Sequence, residues 1–171
     1  MARLAWAKVR QLTRASLEHA LPAGEPILLD TSVLIAYLDP DDGAHDVARE
    51  VVDGLVRAGR NPGLVSMVTV TEVLVGPLRA GDRGVHAQIL EFLQHLPGLR
   101  LGAIDLDVAE RAAALRARFR LRTADALIIA SGLAADVRHV VTNDREWSLK
   151  LPASEIAATV VLLDDHLPFT A

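Results

Sequence analysis

Four acidic residues lie in apolar surroundings, at or near points where predicted strands end or helices begin. They are Asp30, Glu72, Asp125 and Asp144. Carboxylates brought together inside a protein repel one another and are costly to desolvate, and a divalent cation offsets that cost. Mg²⁺ and Mn²⁺ prefer hard oxygen ligands, and Mg²⁺ keeps several waters, which leaves coordination positions for phosphate oxygens. If the four side chains converge, the pattern predicts metal-assisted cleavage of phosphodiesters.

Each acid alone also has an ordinary structural explanation. Asp125 lies in the first turn of the apolar helix predicted for LRTADALIIASGLA (121–134), where the helix dipole favours a carboxylate by ~0.3–1 kcal/mol. Asp30 and Asp144 follow apolar runs and suit turns, and Glu72 is placed to close a capping box. The functional hypothesis therefore depends on all four acids meeting, and not on any one of them.

The elements that would bring the acids together are short apolar strands alternating with helices. Strands are predicted at ILLD (27–30), LVS (64–66), LRLGAID (99–105), HVVTND (139–144) and TVVLLDD (159–165). This alternation is typical of βαβ units around a parallel sheet. Ligands of such sheets bind beyond the carboxyl ends of the strands, where Asp30 and Asp144 fall.

The segment around Glu72, VTVTEVLVGPLRAG (68–81), is ambiguous. Its alternating β-branched residues favour a strand. Thr69 and Glu72 instead resemble a capping box, and Gly76–Pro77 resembles a helix stop. Local propensity leaves both structures open.

Three further expectations concern helices. Apolar residues at helical spacing predict a helix over residues 45–58, and Thr123 is the predicted N-cap of the helix that carries Asp125. Residues 1–25 are predicted to be a helical extension and linker that precede one domain over residues 26–171. The extension is expected to pack on the domain, on a dimer mate or on a protein partner.

Composition limits the function classes. The chain has 171 residues, 51% of them hydrophobic, and a formal net charge of −4, and no apolar run approaches the ~20 residues that span a bilayer. We therefore expect a cytoplasmic protein that is not in a membrane. Cysteine is absent, which excludes disulfides and thiolate metal sites. The six histidines lack HxxxH-type spacing, which argues against a zinc site.

Four segments together resemble the signature of a known family. ILLDTSVLIAYL, TEVLVG, LRTADALIIASGLA and VVTNDREW follow one another in the order found in PIN-domain ribonucleases. The closest resemblance is to the VapC-type toxins of bacterial toxin–antitoxin pairs, and it covers roughly residues 26 to 167. It implies a three-layer α/β/α fold with a central, mainly parallel sheet of about five strands. It also implies that Glu72 lies on a helix.

The resemblance assigns roles to the acids. It implies that Asp30, Glu72, Asp125 and Asp144 are catalytic, with Asp30, Asp125 and Asp144 holding Mg²⁺, or alternatively Mn²⁺, and Glu72 assisting with the metal or the water. The hydroxyl residues that match supporting polar positions are Thr31, Ser32 and Thr142. By family analogy the reaction hydrolyses RNA, leaving a 5′-phosphate and a 3′-hydroxyl. The expected partners are RNA, a cognate antitoxin protein and a second copy of the chain in a homodimer.

Four arginines lead up to Asp125 and have two possible roles. They are Arg116, Arg118, Arg120 and Arg122. They would either contact RNA phosphates, for which Arg120 and Arg122 are the candidates, or simply form a solvated helix end.

Other readings of the acidic pattern remain as alternatives. The main one is a PIN-like module that binds RNA or protein without cleaving, although the intact set of acids counts against it. A haloacid dehalogenase-type phosphotransferase needs a second Asp where Ser32 stands, and a receiver domain needs a Lys after a late strand, where Asp144 is followed by Arg145. The acidic run from Asp39 to Gly43 lacks the spacing of a calcium loop.

Overall fold

The computed structural model describes the backbone of residues 2–167 and the side chains of residues 11–167. Its centre is a five-stranded sheet in the order β3-β2-β1-β4-β5, and every neighbouring pair of strands is parallel. The strands are β1 (Ile27–Leu29), β2 (Gly63–Ser66), β3 (Leu99–Gly102), β4 (His139–Thr142) and β5 (Thr159–Leu162). This confirms the predicted sheet.

Helices cover both faces of the sheet. They are α1 (Ala2–Ala20), α2 (Thr31–Leu38), α3 (His45–Arg49), α4 (Met67–Ala80), α5 (Arg83–His95), α6 (Leu106–Phe119), α7 (Thr123–Ala134), α8 (Arg145–Lys150) and α9 (Ala153–Ile156). A π-helix (Glu50–Arg57) follows α3, and a 3₁₀-helix (Leu163–His166) follows β5. None of the helices within residues 2–167 is long and apolar enough to cross a bilayer.

The alternation of side chains along the strands divides the core into two layers. Ile27 and Leu29 pack into one core with the helices from α1 to α5, whereas Leu28 packs into the other with α6 to α9. In the same way, Val141 packs into the first core and Val140 into the second. Successive side chains of a strand point to opposite faces, so helices on both sides bury every residue of the central strands β1, β2 and β4. The three-layer α/β/α prediction is confirmed.

The ambiguous segment around Glu72 is the helix α4. Its N-cap is Ser66, whose Oγ accepts a hydrogen bond from the Val68 amide at 3.2 Å, so Thr69 lies inside the helix and caps nothing. The helix also continues through Pro77 to Ala80, so the predicted helix stop was wrong. Packing overrides the strand propensity of this segment, because the faces of Val70 and Val73 are buried in the core.

The helix predicted over residues 45–58 exists, but its second part is wider than an α-helix. It begins as α3 and continues without interruption as the π-helix. Within it, Gly54 leaves room for the carboxylate of Glu50, which a Cβ at that position would overlap. A helical spacing of apolar residues does not distinguish the two kinds of helix.

The extension α1 packs on the domain through its C-terminal half. Leu17 and Leu21 are fully buried in the core, while Leu12 is exposed. Arg60 donates hydrogen bonds to the carbonyls of Leu21 at 2.6 Å and Glu18 at 3.2 Å, which satisfies C-terminal carbonyls of the helix. The domain boundary at residues 25 and 26 stays a prediction.

Candidate metal and nuclease site

Asp30 lies immediately after β1 and is the N-cap of α2. Its side chain is only 6% exposed. One carboxylate oxygen, Oδ2, accepts hydrogen bonds from Ser32 Oγ at 2.8 Å, Thr142 Oγ1 at 2.8 Å and the Ser32 amide at 3.4 Å. A buried carboxylate is stable only when it is hydrogen-bonded or paired, and these donors fix its orientation.

The same hydroxyl groups connect Asp30 to the loop that carries Asp144. The Asp144 amide donates to Thr142 Oγ1 at 3.0 Å, and the Asn143 amide donates to Ser32 Oγ at 2.9 Å. Asp144 is the N-cap of α8, where its Oδ1 accepts from the Glu146 amide at 2.8 Å. Because β1 and β4 are neighbours, the ends of these two strands form one hydrogen-bonded unit.

Glu72 faces this unit from α4. The Thr31 hydroxyl donates to Glu72 Oε2 and lies 3.4 Å from the Thr69 hydroxyl. Thr31 follows Asp30 directly. The start of α2 therefore holds Asp30 as its N-cap and orients Glu72 through the Thr31 hydroxyl.

Asp125 lies in the first turn of α7 and is partly buried. The N-cap is Arg122, with no side-chain capping bond, and Thr123 is the first helical residue. The prediction of Thr123 as N-cap was therefore wrong: the chain enters the helix one residue earlier than the Thr–Asp pattern indicates. Behind Asp125, α7 is fixed to β2 by a 3.0 Å hydrogen bond between the buried hydroxyls of Ser131 and Ser66.

The charges of the other three acids act on Asp125. The pKa of Asp125 is raised from its ordinary value, mainly by burial and then by the charge of Asp144, with smaller contributions from Asp30 and Glu72. The charge of Arg122 acts in the opposite direction. The fold therefore brings the predicted acids to the carboxyl end of the sheet, close enough for the charges of three of them to act on the fourth.

This set of donors suits a hydrated hard cation. Carboxylate and hydroxyl oxygens are the ligands that Mg²⁺ and Mn²⁺ accept, and Mg²⁺ commonly uses only one or two carboxylates directly and keeps water in its other positions. Across residues 11–167, no three Asp, Glu, His or Cys side chains converge tightly enough to enclose an ion by themselves. The residues thus fit an ion held partly through water, not a dehydrated cage.

The sequence reasoning missed Asn143, Ser66 and Ser131. Asn143 connects the site to the end of β5, because its Oδ1 accepts from the Asp164 amide at 3.2 Å. The only sequence signal for Asn143 is its place between Thr142 and Asp144, and a pair of serines 65 positions apart carries no local signal at all.

The four arginines near α7 divide into two pairs. Arg118 forms an ion pair with Glu155 at 2.6 Å, and Arg116 Nε lies 3.5 Å from the Leu121 carbonyl oxygen. Arg120 and Arg122 are exposed in the loop between α6 and α7. Arg116 and Arg118 therefore have contacts within the protein, and contact with RNA phosphates stays a prediction for Arg120 and Arg122.

Solved structures with a similar fold include several toxins and their complexes. A toxin–antitoxin complex from Klebsiella pneumoniae matches with a TM-score of 0.60 and 23% identity over 80% of this chain and 97% of the other. DNA-bound VapBC from Salmonella typhimurium matches with a TM-score of 0.61 and 17% identity over 81% and 98%. VapC20 of Mycobacterium tuberculosis, a sarcin–ricin loop cleaving toxin, matches with a TM-score of 0.55 and 18% identity over 72% and 93%. At these identities the likeness concerns the fold.

No curated protein matches the chain. The family model of the PIN domain matches residues 27–150, well over half of the chain, and it includes all four acids. The chain therefore belongs to the PIN domain family.

Proposed function

We propose that this protein is a Mg²⁺-dependent endoribonuclease and the toxin of a type II toxin–antitoxin pair. The observation that carries the proposal is the meeting of four acids at the carboxyl end of a PIN-domain sheet, where Asp144, Asp30 and Glu72 all act on Asp125. A purely structural cluster would pair its acids with cations. Here the strongest charge effect on Asp125 comes from another acid, Asp144, and only the weaker effect of Arg122 opposes it, so positive charge does not balance the cluster.

The roles follow from how each acid is held. Asp30, Asp125 and Asp144 would hold Mg²⁺ or Mn²⁺, directly or through water. When bound, the ion would polarise a phosphodiester and lower the pKa of water at the site. Glu72, oriented by Thr31, would orient that water. Asp30 needs no rearrangement for this role, because its hydrogen bonds from Ser32 and Thr142 already fix its position.

The partners proposed for the chain follow from the family and from the fold neighbours. Two of those neighbours are a toxin–antitoxin complex and a DNA-bound VapBC. A cognate antitoxin would inhibit this chain in the cytoplasm, and the active form would be a homodimer. Light scattering on the purified protein measures the dimer. Growth arrest on expression in bacteria, relieved by co-expressing the product of an adjacent small reading frame, tests the toxin–antitoxin assignment.

The decisive experiment compares RNA cleavage in Mg²⁺ and in EDTA. We expect the protein to cut total RNA in Mg²⁺ and to stop in EDTA, and we expect the Asp125→Asn variant to be inactive in both. A protein that binds RNA but cleaves none of it with Mg²⁺ or Mn²⁺ is the non-cleaving module. Cleavage that persists in EDTA contradicts the metal mechanism.

A further inference from the structure

The loop between α6 and α7 presents two arginines just before the helix that carries Asp125. Arg120 and Arg122 are both exposed, and Leu121 between them is only 6% exposed and packs into the core beneath α6 and α7. The buried leucine anchors the loop, so the two arginines project from a fixed base and not from a flexible tail. Long side chains on a fixed base lose less freedom when they bind a ligand.

The backbone of Arg120 adopts a left-handed conformation. Its φ is +55° and its ψ is 40°, and its amide donates to the Arg116 carbonyl at 2.9 Å to end α6. This position at the end of a helix is normally occupied by Gly, because a side chain makes the conformation unfavourable by ~1 kcal/mol or more. Asp136 and Ala157 are the other residues with positive φ, apart from glycines, in the described part of the chain. The arginine at position 120 therefore opposes the local backbone preference.

Within residues 11–167, neither the Arg120 nor the Arg122 guanidinium forms a hydrogen bond or an ion pair, whereas their neighbour Arg118 pairs with Glu155. Arg122 is the N-cap of α7, whose first turn carries Asp125, and its charge lowers the pKa of both Asp125 and Glu146. Two exposed guanidinium groups in the loop that leads into this helix are available to an anion from outside.

We propose that Arg120 and Arg122 form a clamp for the backbone phosphates of a single-stranded RNA. The clamp rests on the proposed nuclease function, because it would hold the strand whose phosphodiester the acids cut. Guanidinium groups bind phosphate oxygens in a bidentate manner, and positive charge at the rim offsets the repulsion between the strand and the acids. The left-handed conformation of Arg120 lowers the stability of the fold, and its side chain in turn raises the affinity for RNA.

The test measures RNA binding and thermal stability in one set of variants. The parent is the Asp30→Asn protein in Mg²⁺, so that bound RNA stays intact, and the probe is a fluorescein-labelled single-stranded RNA of mixed sequence. We expect Arg120→Gly and Arg122→Ala each to weaken binding by roughly 5- to 10-fold. Each substitution should also reduce the slope of log affinity against log salt by about 0.7, as expected for one lost phosphate contact to a single strand.

Arg120→Gly separates a binding role from a structural one. Glycine relieves the left-handed conformation, so the melting temperature should stay at the parent value or rise by about 1–3 °C while the affinity for RNA falls. A lower melting temperature would show that the arginine stabilises the fold, and this outcome would overturn its assignment to the clamp.

Two controls isolate the effect of the clamp. Arg138→Ala removes an exposed arginine at the amino end of the sheet, on the opposite side from the acids, and should leave binding unchanged within about 2-fold. Ala157→Gly relieves the same backbone conformation at φ +56° and should not affect RNA binding. The proposal is overturned if the parent does not bind the RNA, if both clamp variants bind like the parent, or if Arg138→Ala weakens binding equally. Loss of binding in the clamp variants supports it even if the wild-type protein cleaves no RNA.

Discussion

The two ends of the central sheet both carry polar clusters, but only one of them is electrostatically balanced. At the amino end, the amide of Asn61 donates to the carbonyls of Pro22 at 2.7 Å and Glu25 at 2.9 Å, and its Oδ1 accepts from Arg60 at 2.7 Å. Glu25 also pairs with His139 through a short hydrogen bond. In this cluster hydrogen-bond donors meet acceptors and Arg60 forms an ion pair with Glu18 at 3.7 Å, although the buried Nδ1 of His139 lacks a partner among the described residues.

The carboxyl end is organised differently. Hydroxyl groups fix Asp30 and Glu72 in place, but the charge that acts most strongly on Asp125 is that of another acid, Asp144. The amino end fastens α1 and the linker to the domain, whereas the carboxyl end keeps like charges close together. A cluster that evolves only for stability would resemble the first. Under the proposed mechanism a divalent cation would complete the second cluster, so the two ends should respond to mutation in opposite ways.

The largest effect is expected at the carboxyl end, from Asp30→Asn. Asparagine keeps an oxygen that can accept from Ser32 and Thr142, so the fold should persist, but it removes the charge that would hold the metal. We expect the rate of Mg²⁺-dependent RNA cleavage to fall by about 10²–10³-fold or more, as for the loss of a group that stabilises the transition state. A gel-based assay with fluorescent RNA and circular dichroism of the same samples measures both properties.

Asp82→Asn is the matched control for this substitution. Asp82 is the N-cap of α5 and accepts from the Val85 amide at 2.9 Å, and asparagine caps a helix about equally well. The control loses the same charge at a helix cap outside the acidic cluster. If it lost as much cleavage as Asp30→Asn, net charge and not the site would explain the result.

The next largest effect is expected at the amino end, from Asn61→Ala. The substitution removes the three hydrogen bonds of a fully buried side chain, to the carbonyls of Pro22 and Glu25 and from Arg60, which should lower the free energy of unfolding by about 2–3 kcal/mol. Urea denaturation followed by tryptophan fluorescence measures this change. The cleavage rate per folded molecule should not change, and a large loss of it would mean that the two ends of the sheet are coupled.

The sequence predicts the parallel sheet and the meeting of the acids for the same physical reason. Short apolar runs that end in Asp30 and Asp144 can be recognised locally, and parallel strands must bring their ends to one edge. The start of α4 at Ser66 could not be predicted in this way, because burial of Val70 and Val73 against the rest of the core decides between helix and strand.

Other features depend on geometry that residue patterns do not encode. The left-handed conformation of Arg120 results from how α6 ends above the buried Leu121, and no residue type signals it. The charge effect of Asp144 on Asp125 likewise depends on distances between segments that are far apart in the chain. Residue types and their spacing indicate the groups that could do chemistry, and the tertiary structure determines which of them remain without an opposite charge.

Adding a divalent cation should stabilise only the protein whose carboxyl end is intact. A ligand that binds the folded state alone at about ten times its Kd contributes about 1.4 kcal/mol, which raises the melting temperature by about 3–6 °C. We expect this shift for the wild-type protein and for Asn61→Ala on titration with Mn²⁺, and little or no shift for Asp30→Asn. Equal shifts in all three proteins would place the bound metal elsewhere.

The smallest effect is expected from Asp125→Asn in the absence of metal, and it should be a gain in stability. Burial and neighbouring acids raise the pKa of Asp125, so the folded state binds its proton more tightly than the unfolded state does, and stability falls as pH rises through the interval between the two pKa values. At neutral pH the charged aspartate is therefore unfavourable, and removing the charge should raise the melting temperature by about 1–3 °C, a small amount because the group is partly exposed and screened. The gain should shrink as the pH is lowered toward the ordinary aspartate pKa, where the wild-type carboxyl is protonated as well.

Calorimetry in EDTA at several pH values measures this difference in melting temperature. A variant less stable than the wild type at neutral pH would show that the Asp125 carboxylate stabilises the fold and is not an acid whose charge lacks compensation.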